Sequence, residues 1–105
     1  MVRADFCRAG GRITGFTVSG HAGYADSGKD IVCAAVSSAV QLTANGITEI
    51  LGCPAKVSAK GDSVSLSLEG EGAESALAML DAFRLQMEIL KEQYPKYIGI
   101  RYLEV

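Results

Sequence analysis

The residues that could do chemistry are concentrated between positions 19 and 40, "SGHAGYADSGKDIVCAAVSSAV". His21 is the single histidine of the chain, and Cys33, one of three cysteines, follows twelve positions later. A thiol attacks only as the thiolate, so its reactivity depends on what stabilises the anion. Two local features serve Cys33. With Asp30 as N-cap, Cys33 becomes the third residue of a helix, where backbone N–H groups lacking intrahelical partners favour a nearby anion and could stabilise an oxyanion. A glycine loop that folds back would bring the His21 imidazole to the sulfur, as general base or as the imidazolium of an ion pair. Asp30 works in the other direction, because an anion beside a thiol disfavours the thiolate. Ser37 lies four residues beyond Cys33 on the same helix face, with a hydroxyl for the thiol or for a substrate carbonyl. Ala34 and Ala35 leave room there for an extended ligand.

Each of these residues also has an ordinary structural use. Cys33 can be a small core residue, His21 a loop residue satisfied by backbone, and Ser37 a hydroxyl bonded to the carbonyl four residues earlier. Tyr24 reads as a loop anchor or as a ring that contacts substrate. Gly20, Gly23 and Gly28 read as positions of backbone freedom. Cys7, in a strand, and Cys53, at a helix end before Pro54, read as structural. No CxxC pair exists and the cysteines are far apart, so neither a zinc site nor a disulfide framework is supported.

The elements that must position these residues follow from periodicity. Residues 2–7 alternate, with Val2, Ala4 and Phe6 on one side, and residues 12–18 return as the second strand of a hairpin. Ile13 and Phe16 differ in parity there, so Gly15 marks a bulge or a close backbone approach. Residues 19–30 form a loop. From Ile31 a helical stripe begins, carried by Val36, Val40, Thr43, Ile47 and Ile50; Gly46 weakens its last turns, and Gly52 with Pro54 ends it. Residues 57–59 and 64–68 make a second hairpin, whose tip "AKGDSV" has no assigned role. Acidic residues then open a second helix, with Ala76, Leu77, Leu80, Phe83, Met87, Leu90 and Tyr94 as its apolar face, and Pro95 stops it. Residues 98–105 end the chain as a strand with Ile98, Ile100 and Tyr102 on one side. The order ββαββαβ predicts an α+β fold in two layers, both helices on one face of a mainly antiparallel sheet. The other face must be polar or meet a partner, which suits a homodimer.

The totals bound the function. At 105 residues the chain is one domain, residues 1–105. Its net charge of −2, with both signs scattered, gives no footprint for nucleic acid. No uninterrupted apolar run is long enough to span a bilayer, and the first ten residues lack the apolar centre of a signal peptide. These features place the protein in the cytoplasm, a reducing compartment.

The 22-residue stretch closely resembles the signature of the ribosomal-processing cysteine protease family (Prp, or YsxB-like). The G-H-A element followed by G-x-D-I-V-C-A-A-V-S carries the resemblance, and length and element order extend it loosely over the chain. It implies a cytoplasmic cysteine peptidase of Firmicutes and their relatives, homodimeric and needing no metal or organic cofactor. Its substrate would be the N-terminal extension of a large-subunit ribosomal protein, the twenty-seventh, cleaved after a hydrophobic, aromatic-containing segment. Carried over by position, Cys33 would be the nucleophile and His21 its general base and acid, with Gly20, Asp30 and Ser37 in support. The loop of residues 20–29 would then close over an extended peptide. Two other classes stay open: a non-enzymatic assembly factor that binds the same ribosomal protein, and a thiol redox sensor, which the lack of a neighbouring cysteine disfavours.

Overall fold

The computed structural model describes residues 1–26 and 30–105. Its elements are β1 (Val2–Ala9), β2 (Arg12–Ser19), α1 (Ile31–Asn45), β3 (Ala55–Lys60), β4 (Ser63–Leu68), α2 (Glu74–Gln93) and β5 (Ile98–Glu104). The sheet runs β3-β4-β2-β1-β5. Only β1 and β5 are parallel; the other three pairings are antiparallel. The ββαββαβ order and the mainly antiparallel sheet are therefore as the sequence predicts, with strand bounds one or two residues longer at some ends and β5 one residue shorter.

Period-two alternation divides the sheet faces. Val2, Ala4, Phe6, Ile13, Phe16, Val18, Leu66 and Ile98 are buried beneath the helices. The opposite face carries Arg3, Asp5, Thr17, Ser65 and Arg101, with Arg101 gripping Asp5 through two hydrogen bonds of 2.9 Å. The irregular parity of β2 resolves as a bulge. Cys7 pairs with Gly15 and Arg8 with Ile13, so Thr14 is the extra residue and Ile13 rejoins Phe16 on the core side. Gly15 meets the second condition too. A Cβ there would lie 2.6 Å from the Leu66 carbonyl oxygen of β4.

In α2 the predicted stripe is buried from Ala76 to Leu90, and Phe83 packs against Phe6 and Phe16 at centroid distances of 5.7 and 4.7 Å. In α1, Val36, Val40 and Thr43 are buried, as is Ile47 beyond it, but Ile50 is 82% exposed. The reason is a π-helical turn, Gly46–Ile50, which follows α1 directly. Its wider turn takes one more residue than an α-turn and rotates Ile50 off the stripe. The glycine that weakens the helix in sequence has a packing use: a Cβ on Gly46 would meet Met79 Cε of α2 at 2.9 Å. Gly52, at φ +62°, ends the helical run. By length and composition alone the run Ile31–Ile50 is apolar enough to cross a membrane, although Ser37, Ser38, Gln41 and Asn45 interrupt it. Here its stripe is in the core.

Candidate active site

α1 begins where the sequence places it. Asp30 is the N-cap, in extended conformation, and its Oδ1 accepts from the Val32 and Cys33 N–H groups, both at 3.0 Å. Cys33 is thus the third helical residue. The other oxygen, Oδ2, accepts from the N–H of Tyr24 at 3.0 Å and of Ala25 at 3.5 Å. One carboxylate joins the helix start to the loop before it. These donors, that of Cys33 foremost, hold the Asp30 carboxyl below the usual carboxylate range.

This arrangement corrects one expectation. Three of the helix-start N–H groups that an oxyanion would use are already engaged, because Val32 and Cys33 donate to the Asp30 side chain and Ala34 donates to the Asp30 carbonyl. The donor that reaches the sulfur comes from the loop instead. Ala22 N–H points at Cys33 Sγ over 3.2 Å. Ala22 is buried and adjoins His21 in sequence, so the backbone that carries the imidazole is itself attached to the thiol.

Cys33 is half-buried at the junction of two clefts. The first runs between α1 and the adjoining ends of β2 and β4, and its apolar lining includes Val18, Val36, Val40 and Val64. The second lies over the loop and the helix start, along Gly23, Ala25, Asp30 and Ala34. Cys33, His21 and Ser37 line both. The structure therefore brings these three residues together, with Gly20 in the first cleft and Asp30 in the second. Gly20 has φ +86°, and a Cβ there would come within 2.5 Å of the Met1 carbonyl oxygen, so the chain path into His21 tolerates no side chain. The back-bond open to Ser37 is made elsewhere in the helical run, by Thr43 to Ala39 and Thr48 to Ala44.

Tyr24 does not join the clefts. Its ring packs edge-on against Tyr94 and Tyr97, at centroid distances of 5.6 and 5.2 Å, where α2 gives way to β5. Of its two readings, the geometry supports the anchor. The lid reading of residues 20–29 extends over positions 27–29, which lie outside the described residues.

The sequence predicts the second hairpin but gives its tip no role in the site. Gly61 and Asp62, at the β3–β4 tip, line the first cleft, and Asp62 Oδ2 lies 4.0 Å from His21 Nε2. The pairing of Val18 with Val64 puts the tip beside the end of β2. The signal was the hairpin's place in the sheet, which no local pattern reports.

The family model of the cysteine protease Prp matches residues 1–99. The chain belongs to that family. It is a cysteine peptidase by family, with an α+β fold shared by solved relatives. The ribosomal processing protease Prp of S. aureus, in complex with a covalently linked product peptide, is 22% identical, with a TM-score of 0.92 over 98% of this chain and 100% of that one. The same S. aureus protease with a substrate peptide gives 0.86 at 21% identity, over 98% of this chain and all of the other. SMU.848 from Streptococcus mutans gives 0.85 at 26% identity, over 100% of this chain and 96% of that one. Among curated protein sequences none matches this chain.

Proposed function

We propose that this Prp-family chain is an endopeptidase that uses Cys33 as nucleophile and His21 as general base and acid. Its substrate is the N-terminal extension of a large-subunit ribosomal protein, the twenty-seventh. The observation that supports this most directly is that Cys33 and His21 line the same two clefts in a chain of the cysteine protease family. Two clefts meeting at one sulfur suit a peptide that passes on both sides of the attacked carbonyl. The valine-lined cleft suits the hydrophobic or aromatic segment before the scissile bond.

In this reading the Cys33 thiolate, with Ala22 N–H beside it, attacks the scissile carbonyl carbon. His21 gives its proton to the departing amine, and the extension remains on sulfur as a thioester. Water that loses a proton to His21 then cleaves the thioester and returns the thiol. With the Val32 and Cys33 amides engaged by Asp30, the Ser37 hydroxyl, which lines both clefts beside Cys33, meets the carbonyl oxygen in this reading. The same reading has the enzyme act in the cytoplasm as a homodimer. S. aureus Prp, known with substrate and product peptides, supports a peptide ligand for this fold.

The test is mass spectrometry of a synthetic peptide that bears the extension, incubated with the protein. A product shortened at its N-terminus is expected with the native chain, and none with Cys33→Ala, whose thermal unfolding should match the parent. Cys7→Ala and Cys53→Ala should still cleave. Cleavage by Cys33→Ala would overturn the assignment, and an intact peptide with the native chain would leave a binding protein.

A further inference from the structure

An imidazole that shuttles a proton works best when a second group holds its other nitrogen. Two carboxylates share a cleft with His21: Asp30 at the head of α1 and Asp62 at the β3–β4 tip. Asp30 is committed, since its two oxygens already accept four backbone N–H groups. Asp62 is different. Among the described residues the one basic side chain within 4.0 Å of its carboxylate is His21, whose Nε2 lies 4.0 Å from Oδ2.

The approach is built into the sheet. β2 pairs with β4 through Gly15↔Ser67 to Val18↔Val64. Continuing that antiparallel register by two residues sets Asp62 opposite Gly20, immediately before His21. Both partners leave their strands through glycine-dependent turns, Gly20 at φ +86° and Gly61 at φ +59°. At 4.0 Å the pair has the spacing of an ion pair and not of a hydrogen bond. With His21 81% and Asp62 52% exposed, water weakens it in the free protein. A peptide lying in the valine-lined cleft would exclude that water and strengthen the attraction.

We propose that Asp62 is the positioning residue for His21. Its carboxylate takes the Nε2–H and leaves Nδ1 to exchange a proton with Cys33. The proton that leaves Sγ goes to Nδ1; the resulting imidazolium keeps its Nε2–H toward Asp62, which stays ionised throughout. The Nδ1 proton then passes to the departing amine. This rests on the Cys33–His21 assignment above, so the experiment must separate the two.

The rate at which iodoacetamide alkylates Cys33 reports thiolate without any substrate. It is followed across pH by mass spectrometry of the Cys33-containing tryptic peptide. Four proteins are compared: native, His21→Ala, Asp62→Asn and Asp62→Glu. Loss of the imidazolium removes the thiolate's counter-charge, so His21→Ala should move the midpoint of the profile to higher pH. Asp62→Asn should move it the same way by less, roughly half a unit for a single charge at this spacing in a wet site. Asp62→Glu should restore most of the shift. A profile for Asp62→Asn that superimposes on the native one, while His21→Ala shifts, overturns the role of Asp62 and leaves the dyad standing. That result, with a lowered Tm, would make Asp62 a turn residue; with a raised KM for peptide, a substrate contact. If His21→Ala also superimposes, the dyad itself fails, and the positioning role with it.

Discussion

Asp30 reads differently once its partners are known. As a bare anion beside Cys33 it would oppose the thiolate; with four backbone N–H groups on it, its charge is met locally. Its carboxyl is held below the usual range, chiefly by the Cys33 N–H. A group whose folded-state value is depressed stabilises the fold above its unfolded value, and that contribution is lost as pH falls through the folded value. The amide resonances of Tyr24, Val32 and Cys33 should therefore move together in an acid NMR titration, with a midpoint below that of a free aspartate. Independent midpoints would mean that loop and helix start are not joined by one side chain. At this scale Cys33, His21 and Ser37 were legible, because helix spacing and a motif are local. Asp62 was not, because its nearness to His21 depends on strand register across the sheet. The fate of the helix-start amides was hidden too, since Asp30 as N-cap already implied their use but not its extent.

Two glycines inside regular elements make opposite predictions. At Gly15 a methyl group would press on the Leu66 carbonyl, backbone against backbone, so β2 and β4 would have to separate. Gly15→Ala should destabilise the protein by about 1–3 kcal/mol, the usual range for overpacking. At Gly46 the obstacle is the far end of the flexible Met79 side chain, and alanine favours helix over glycine by about 1 kcal/mol. Gly46→Ala should therefore fall within about 1 kcal/mol of the native chain. Urea unfolding of both variants checks the contrast, and equal costs would refute it. The elements were legible where alternation or a stripe ran unbroken, as in β1 and α2. The π-turn was not, because a stripe written at helical spacing continues smoothly to Ile50 on paper.

At the scale of the molecule, the uncovered sheet face was expected to be polar or to meet a partner, and it carries Arg3, Asp5, Thr17, Ser65 and Arg101. The helical layer carries exposed apolar side chains, Leu42 on α1, 70% exposed, with Leu85 and Ile89 on α2, against Val57 on β3 and Leu103 on β5 in the sheet, 49% and 41% exposed. A homodimer would then bury helices, and Leu42→Glu should shift sedimentation from about twice the 11.0 kDa chain mass toward a single chain. Ser65→Glu, on the sheet's open face, should leave it unchanged. The reverse pattern would place the contact on the sheet. The parallel pairing of β5 with β1 has a different consequence. It joins residues as far apart as Asp5 and Arg101, 96 positions, and gives β1 its second neighbour. Such pairing raises contact order and slows folding. Until synthesis has passed residue 104, a nascent chain would expose one side of β1, with Val2 and Phe6 lacking the cover of Ile98 and Tyr102. The five-stranded sheet that carries Gly20 and the β3–β4 tip is complete only once β5 has joined β1, so proteolytic competence should follow that step.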